Sequence, residues 1–422
     1  MIAVFRRLGP GLLFAGAAIG VSHLVQSTRA GADFGLGLVW VLLLVNLVKY
    51  PFFQFGPRYA LSTGESLLDG YRRLGKGILI SYYILNLGTM FAIQAAVTAV
   101  TAGIAARLLG IESSPMLSVV VALLCFAVLW RGKYSWLDKS MKIIVLALSI
   151  STLIAVVFAL GTKPNLTMTQ VLPVTSSEWV FLIAFMGWMP GPLDISIWHS
   201  LWALEKKKIN PKTTLKSSLF DFNIGYGVTL FLGLCFIVLG ATVMFGSGVS
   251  FSSSGATFAG QLIGLYTSLM GNGWFVIIAV AALTTMISTT LTTLDASPRV
   301  MAHTTTLLQG KYANNQFAWI VMLTMGTCLI FLVFAAEMGL LVKIATVLSF
   351  LTAPFYAAAN LILVTSSHMP EKHRPKKWFR IASMLGILFL IFYSSKATEK
   401  CLSQISELSL MSSTNTNEMA IF

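Results

Sequence analysis

Long apolar runs alternate with short polar stretches along almost the whole chain of 422 residues. Runs of roughly 17 to 25 apolar residues are long enough to cross the hydrocarbon core of a bilayer as helices. The sequence predicts eleven such spans, at residues 8–28, 36–56, 77–106, 115–130, 141–160, 179–203, 219–245, 273–295, 317–336, 338–365 and 379–394. The pattern therefore predicts an all-α membrane protein.

Two of these spans contain residues that break a helix. The first span is interrupted at Gly20-Val21-Ser22-His23, and the sixth at Met189-Pro190-Gly191-Pro192-Leu193-Asp194. Inside a bilayer, a helix is interrupted only where the freed backbone groups line a cavity or bind something. Breaks at corresponding positions of two halves of a chain point to a substrate site near the membrane midplane.

Composition and charge agree with this prediction. The chain is 56% hydrophobic and 10% charged, with a mean hydropathy of +0.81, values that exclude a soluble globular domain. A net charge of +14 in a soluble protein would suggest nucleic acid as a partner, but 22 of the 29 Lys and Arg lie in alternate loops. The lipid bilayer is therefore the predicted partner, and nucleic acid is not.

The same loops predict how the chain is oriented. Cytoplasmic loops carry an excess of Lys and Arg, so the N-terminus and the loop at 206–216 are predicted to be cytoplasmic. The opposite loops hold only Arg29, Arg107 and Lys163, with Lys396 and Lys400 in the tail. An odd number of spans then places the C-terminus outside, and the cell or inner membrane is the predicted location.

The spans divide into two units of opposite direction. Spans one to five occupy residues 1–165 and spans six to ten occupy 166–366, and each unit opens with its broken helix. This is the 5+5 inverted repeat of the LeuT fold. Span eleven, within 367–395, is predicted to be peripheral, and residues 396–422 form a polar tail. No GxxxxGK[ST] motif for ATP occurs in the sequence, so transport would be secondary or passive.

Asp194 is the candidate ion ligand of the sixth span. A carboxylate at the bilayer centre costs roughly 2.5 to 3.5 kcal/mol, so it persists only where it faces a cavity or a partner. Pro190 and Pro192 lack the amide donors that would satisfy nearby carbonyls, so Gly191 and its neighbours offer oxygen atoms at the same depth. A cation is the predicted ligand, and an ion pair inside the bundle is the alternative.

Histidines and a second acid are further candidates. In the first span, Gly20 loosens the helix while Ser22 and His23 offer a hydroxyl and an imidazole, although packing between helices explains His23 equally well. His199 lies one turn beyond the second break, where a proton route would run, and packing is the alternative there too. Asp221 lies at the start of span seven. It is a candidate for the proton pathway, and pairing with a Lys of the adjacent loop is the alternative.

Several motifs resemble those of the Nramp family of divalent metal transporters. Gly9-Pro10-Gly11 and the stretch from Gly31-Ala32-Asp33-Phe34-Gly35 to Trp40 resemble the family's first helix and its continuation. Thr63-Gly64-Glu65-Ser66-Leu67, Trp198-His199-Ser200 and Val347-Leu348-Ser349-Phe350 are similar to later elements. The resemblance covers spans one to ten and implies a LeuT-type fold with a metal ion as substrate.

The chain departs from the family at the residues that bind metal. Gly20-Val21-Ser22-His23 stands where the family has Asp-Pro-Gly-Asn, and Pro192-Leu193-Asp194 where it has Met-Pro-His, unless Met189-Pro190 aligns instead. Residues 77–106 contain no Asp or Glu, whereas relatives use acids there for protons. The resemblance implies Thr346 as the polar ligand of span ten. A preference for soft metals is therefore not predicted, and hard ions such as Mg²⁺ remain candidates.

The sequence thus predicts a secondary-active transporter of divalent cations that works by alternating access, with Asp194 and His23 as the metal ligands. The cation is substrate rather than cofactor, and no cofactor is predicted. Protons are the second candidate partner, in symport. Two alternatives stay open: a transporter of a small organic solute, and a membrane scaffold or sensor that does not transport. No nucleophile and base pair indicates an enzyme, and the oligomeric state is not predicted.

Overall fold

The computed structural model describes residues 9–131, 134–162, 166, 169–248, 251–252, 254–310, 315–334 and 338–419. Of residues 134–145, 256 and 401–419 only the backbone is described. The predicted cytoplasmic residues Arg6, Arg7, Lys133 and Lys311, and the predicted external Lys163, lie outside the described residues.

Every predicted span corresponds to a helix or to a pair of helices. The first span is α1 (Pro10–Ala18), a π-helical turn (Ser22–Ser27) and α2 (Thr28–Phe34), and the sixth is α8 (Ser176–Trp188) and α9 (Ile195–Ile209). The other spans are α3 (Val39–Thr63), α5 (Lys76–Leu109), α6 (Pro115–Trp130), α7 (Tyr134–Thr162), α10 (Leu215–Val243), α12 (Phe275–Gln309), α13 (Gln316–Phe334), α14 (Met338–Thr365) and α15 (Lys377–Met419). The prediction of an all-α membrane protein is confirmed.

Length and hydropathy identify seven helices among the described residues that could cross a membrane, or eight with the bent first pair. The shorter helix α6 and the apolar part of α7, together with the broken pair α8 and α9, complete the predicted set. Whether all eleven cross the bilayer stays a prediction.

The helix contacts are those of two halves related by a twofold axis. The broken first span packs against α10, and the broken sixth span packs against α3, the contact expected when the halves are exchanged. Helix α5 packs against α14, and its counterpart α12 packs against α7. Helices α5 and α12 also contact each other at the centre. The broken spans thereby lie inside the bundle, surrounded by the other helices.

Two helices and one helical extension were not predicted from the apolar runs. Helix α4 (Leu67–Leu74) follows α3, and α11 (Gly255–Met270) precedes a 3₁₀ turn at Asn272–Trp274 and α12. Both are interrupted by polar residues and are therefore missed by a search for apolar runs. The predicted polar tail continues α15 as a helix as far as Met419, instead of forming a separate irregular segment. The proposed domain boundaries stay a prediction.

Candidate functional site

The first helix is broken where the sequence predicts it. Helix α1 ends at Ala18, and the chain turns through Ile19 and Gly20 so that the two halves of the span diverge by 48°. A Cβ atom at Gly20 would lie 2.8 Å from both γ atoms of Thr289 on α12. Glycine at this position therefore lets the break contact α12 directly.

The second break is longer and also matches its prediction. Helix α8 ends at Trp188, residues 189–194 are not helical, and α9 begins at Ile195. Pro190 and Pro192 cannot donate hydrogen bonds, so the last carbonyls of α8 have no partner within their own helix. The break therefore presents several backbone oxygens inside the bundle.

A small cavity lies between the two breaks. Its volume is about 30 Å³, enough for an ion with one or two water molecules. Its lining comes from the first span, α5, α12 and the sixth span, and none of it from α3. The lining residues are Ala17, Ala18, Val21, Ser22, Ile93, Val97, Trp188, Gly191, Pro192, Ile195, Trp198, Thr289 and Thr293.

A lysine occupies the other side of the second break. Lys49 of α3 is fully buried, and its Nζ donates to the carbonyls of Met186 at 2.7 Å, Gly187 at 2.7 Å and Gly191 at 3.2 Å. Three bonds use all three donors of an ammonium group. The carbonyls freed by the break therefore converge on a single positive charge.

Asp194 supplies the negative charge next to this cluster. It is 3% exposed and stands at the N-cap position of α9 without making a capping hydrogen bond. Its Oδ1 is buried and has no hydrogen bond partner, and the carboxylate is attracted electrostatically to Lys49. The positive end of the α9 dipole favours a carboxylate at this position. Buried polar atoms without partners are rare, which makes Asp194 the strongest candidate ligand in the break.

His23 faces α10. Its Nε2 lies 2.9 Å from the carbonyl of Thr229, and its Nδ1 lies 3.1 Å from the carbonyl of Ala18 and 2.7 Å from Ser22 Oγ. The Ser22 hydroxyl also donates to the Ala18 carbonyl. These contacts fix the first break to α10 and are the ones expected of a packing histidine. Ser22 lines the cavity, whereas His23 does not, and its role as a metal ligand stays a prediction.

The two proton-pathway candidates lie on the side of the breaks where the basic loops predict the cytoplasm. His199 is fully buried, stacks on Phe14 with ring centroids 5.8 Å apart, and has no hydrogen bond partner at either ring nitrogen. Asp221 accepts from the amides of Gly9 at 3.1 Å and Gly11 at 3.0 Å, with Lys206 Nζ at 3.7 Å. Asp221 thus binds the start of α1, a contact that was not predicted, and it also approaches Lys206, a lysine of the predicted adjacent loop, which is the predicted alternative. Its role in a proton pathway stays a prediction.

Thr346 and Met189 also have intramolecular partners. The Thr346 hydroxyl donates to the Val342 carbonyl of its own helix at 2.7 Å. The Met189 sulfur is buried and accepts from Ser27 Oγ at 3.4 Å. Within the described part of the chain, no three His, Cys, Asp or Glu side chains come close enough to hold a metal ion together.

Sequence reasoning missed two features of the site. Lys49 is a basic residue inside a predicted span, and that position alone marks a candidate functional residue. The second feature is a row of hydroxyl groups on α12, where Thr285, Thr289 and Thr293 recur every four residues on one helix face. Thr293 donates to Gln94 of α5 at 2.6 Å, and Thr289 and Thr293 line the cavity. The four-residue spacing was the available signal.

Comparison with known sequences identifies the chain's relatives. Residues 11–398 match the sequence model described as natural resistance-associated macrophage protein-like, or Nramp. An uncharacterized protein of Pasteurella multocida (strain Pm70) is 35% identical over 400 residues, which cover 92% of this chain and 91% of that protein.

Comparison with solved structures gives a similar fold at low sequence identity. A crystal structure of a variant of the Eremococcus coleocola manganese transporter matches with a TM-score of 0.73 at 14% identity, covering 96% of this chain and 91% of that one. Mhp1, a nucleobase-cation-symport-1 family transporter in a closed conformation, matches with a TM-score of 0.54 at 14% identity, covering 93% and 92%. The LeuT-type fold predicted from the two breaks is thereby confirmed.

Proposed function

We propose, since this chain belongs to the Nramp family, that it is a secondary transporter of divalent metal ions that works by alternating access. The metal ion is the substrate, and the site lies at the two helix breaks. The first break and the cavity supply one side of this site, and the second break with Asp194 supplies the other.

One observation carries the proposal: the second break is built to hold positive charge. Three backbone carbonyls converge on the Lys49 ammonium, and the Asp194 carboxylate lies beside them with one oxygen unused. Carbonyl and carboxylate oxygens are the ligands that hard divalent cations prefer. A group of oxygen ligands that already binds one cation has suitable chemistry for another.

The size of the cavity favours an ion over the alternative of an organic solute. Pockets for drug-sized ligands have volumes of about 300 to 1,000 Å³, whereas the cavity between the breaks measures about 30 Å³. In this conformation the space suits an ion with one or two waters. An organic solute would need the helices around the cavity to separate.

The ligand chemistry favours a hard ion that keeps some of its waters. Mg²⁺ is usually held by one or two carboxylates together with water, and it does not need a cluster of side-chain ligands. The sulfur of Met189 is directed to Ser27, so a thioether contribution to selectivity is not supported. We therefore expect weak discrimination between Mg²⁺ and Mn²⁺.

Proton coupling and orientation complete the proposal. His199 lies on α9 beyond the second break and stacks on Phe14 of α1, on the side where the basic loops predict the cytoplasm. It is the candidate proton carrier in symport. The N-terminus is proposed to be cytoplasmic and the C-terminus external, in the cell membrane.

Thermal unfolding of the purified protein in the presence of candidate substrates tests the proposal. A ligand present at 100 times its Kd stabilises the folded state by about 2.7 kcal/mol, so Mg²⁺ and Mn²⁺ should raise the melting temperature. Asp194→Asn should remove this effect, measured as the shift that ions cause relative to the variant's own unliganded melting temperature. Asp33→Asn, at an exposed acid of α2, is the matched control and should respond to ions normally.

Two results would contradict the proposal. Stabilisation by a small organic solute but not by divalent ions would favour the solute transporter. No stabilisation by any metal or solute, in protein that unfolds cooperatively, would favour the scaffold or sensor.

A further inference from the structure

A second, larger cavity lies at the end of the bundle where the basic loops predict the cytoplasm. Its volume is about 390 Å³, within the range of about 300 to 1,000 Å³ typical of ligand pockets. It shares no lining residue with the cavity between the breaks. Its walls are the end of α9, the loop at 210–214, the first turns of α10 and the start of α1. The lining residues are Pro10, Ala203, Lys206, Asn210, Lys212, Thr213, Thr214, Ser217, Ser218 and Asp221.

The charges of this lining favour an anion. Lys206 and Lys212 contribute two positive charges, and Asp221 contributes one negative charge. The Asp221 carboxylate already accepts from the amides of Gly9 and Gly11, and it lies 3.7 Å from Lys206 Nζ. The start of α10 adds partial positive charge, because the first amides of a helix have no partner within it. The net potential in the cavity is therefore positive.

The side chain of Thr213 points independently to a ligand. It lines the cavity and is 7% exposed, and its hydroxyl oxygen has no hydrogen bond partner among the described residues. The backbone of Thr213 is satisfied, since its amide donates to the Asn210 carbonyl at 3.0 Å and its carbonyl accepts from Lys207 Nζ at 2.7 Å. The loop is thus fixed around a buried hydroxyl that lacks a partner, which is a rare arrangement. An anion in the cavity would accept its hydrogen bond.

Phosphate is the anion that matches these donors best. A phosphate group offers several strong acceptor oxygens, and lysines and helix N-termini commonly bind it. The cavity is larger than the group itself and leaves room for the organic part that carries it. Ile209 and Phe220 are 85% and 55% exposed, and they adjoin the lining residues Asn210 and Asp221 in the sequence. Exposed apolar side chains beside the cavity are compatible with a lipid as the carrier.

We propose that this cavity binds a phosphate group, carried by an anionic lipid headgroup or by a soluble phosphate compound, with Lys206, Lys212 and the Thr213 hydroxyl as its ligands. The site is separate from the cation site proposed at the breaks and does not depend on the transported substrate. Bound phosphate would connect the loop after α9 to the start of α1, because Lys206 approaches Asp221 and Asp221 binds that start. Phosphate should therefore stabilise the folded protein.

Two substitutions test the ligands, and a third is the matched control. Thr213→Val keeps the shape of the side chain and should weaken phosphate binding about tenfold or more, the loss of one hydrogen bond to a charged group. Its melting temperature without phosphate should stay the same or rise, since the hydroxyl has no partner to lose. Lys212→Gln should weaken binding about fivefold. Lys208→Gln changes an exposed lysine that pairs with Glu205 and does not line the cavity, and it should bind like the wild type.

The measurement is the melting temperature of the purified full-length protein in a neutral detergent. One arm adds inorganic phosphate, with chloride at equal ionic strength as its control. The other arm adds phosphatidylglycerol in mixed micelles, with phosphatidylcholine at the same molar fraction as its control, since choline balances the phosphate charge. Stabilisation follows RT ln(1 + [L]/Kd), so each titration gives an apparent affinity for every variant.

Stabilisation by phosphatidylglycerol, weakened in Thr213→Val and Lys212→Gln, would support the inference with a lipid headgroup as the source. Stabilisation by inorganic phosphate but not by phosphatidylglycerol, with the same weakening, would support it with a soluble compound.

Three results would overturn the inference. The first is stabilisation by neither probe beyond its control, and the second is equal affinity in the wild type, Thr213→Val and Lys212→Gln. The third is an equal loss in Lys208→Gln, which would assign the attraction to the basic loop as a whole. None of these results bears on the cation site, which is tested with metal ions. If Thr213→Val does not fold, the comparison of Lys212→Gln with Lys208→Gln decides.

Discussion

At the scale of single residues, the two breaks use their polar groups differently. His23 has both ring nitrogens close to backbone carbonyls, at 3.1 Å from Ala18 and 2.9 Å from Thr229. Asp194 has an oxygen without any partner. A group whose hydrogen bonds are satisfied by the protein stabilises the fold, whereas an unsatisfied one is available to a ligand. The contrast favours Asp194 over His23 as the proposed ligand, and both assignments stay predictions.

Removing the imidazole of His23 should therefore cost stability. His23→Ala leaves a buried carbonyl without its donor, a loss of about 1 to 3 kcal/mol, and should lower the melting temperature. His23→Gln, which keeps an amide donor, should recover part of the loss. Uptake by either variant should keep the pH dependence of the wild type. A flattened pH profile in His23→Ala would instead make His23 a proton carrier.

The sequence predicted Asp194 because a single acid inside an apolar run is conspicuous. It did not predict the partners of Lys49, since Met186, Gly187 and Gly191 lie 137 to 142 positions further along the chain. Only the packing of α3 against the sixth span brings them together. The hydrogen bond of the Thr346 hydroxyl was not predicted either. Its acceptor is the backbone carbonyl of Val342, and a backbone carbonyl cannot be recognised in a pattern of side chains.

At the scale of helices, close packing places the breaks. Glycines let the broken spans approach their partners: a Cβ at Gly225 of α10 would lie 2.0 Å from the Gly11 carbonyl of α1. On the other half, a Cβ at Gly56 of α3 would lie 2.3 Å from the Ser196 carbonyl of α9. The first contact lies before the first break and the second lies after the second break, so in each half a broken helix approaches one glycine of a neighbouring helix.

Adding one methyl group at this contact should separate α1 from α10. In Gly225→Ala the new atom meets backbone, which cannot rotate away, and overpacking of this kind costs about 1 to 3 kcal/mol. Gly227→Ala is the matched control in the same helix, since no atom lies within 4 Å of its Cβ position. The control should be neutral or stabilising by up to about 1 kcal/mol. Equal melting temperatures for the two variants would show that α1 moves without cost.

A second contact between helices should respond to pH. Asp69 of α4 accepts from His303 of α12, with Oδ1 and Nε2 3.1 Å apart, and from the amide of Ser66 at 2.9 Å. Burial alone would raise the pKa of Asp69, but the hydrogen bonds from His303 and Ser66 outweigh it and hold the pKa below its ordinary value. A carboxyl with a lowered pKa stabilises the fold above its unfolded pKa, and the contribution disappears as the pH falls through the folded pKa.

Asp69→Asn should therefore lower the melting temperature at neutral pH. The difference in melting temperature between the variant and the wild type should stay constant down to about pH 5. It should shrink below about pH 4, because Asp69 of the wild type then becomes protonated and loses the charge that the variant lacks at every pH. Melting curves of both proteins between pH 7 and pH 3 provide the measurement. A difference that widens in acid would contradict the direction of the pKa shift.

Helix ends were harder to predict from sequence than helix cores. The apolar pattern of span eight ends at Asp295, yet α12 continues to Gln309. Asp295 accepts from Arg299 at 2.8 Å and from Gln316 at 3.0 Å, so its charge is neutralised and the helix can continue past it. Hydropathy alone predicts a loop wherever polar residues follow one another. Because an ion pair between side chains one turn apart lets polar residues continue a helix, hydropathy places the end of α12 too early.

At the scale of the whole molecule, the two breaks and the alternation of basic loops together specify the architecture. The fold followed from the sequence because each break lies at the start of a half, and the symmetric helix contacts agree with that arrangement. Orientation rests on charge alone. The lysines of the loop after α9 lie at the same end of the bundle as the start of α1, where Lys206 approaches Asp221.

Site-directed labelling tests the orientation. With the native cysteines replaced by serine, a single cysteine at Lys207 should react with a membrane-impermeant maleimide only after the membrane is opened. A cysteine at Glu112, in the loop between α5 and α6, should react in intact cells. The reverse pattern would place the basic loops outside and remove the argument for an inward-facing N-terminus.

Uptake of Mn²⁺ into proteoliposomes is the most direct test of the central claim that the second break is the cation site. The wild type should accumulate the ion, and Mg²⁺ in excess should compete with it. Asp194→Asn should reduce uptake to the level of empty liposomes, because the amide keeps the shape of the side chain and removes its charge, while Asp33→Asn should transport normally. Uptake by Asp194→Asn at the wild-type rate, in protein of unchanged stability, would contradict the claim.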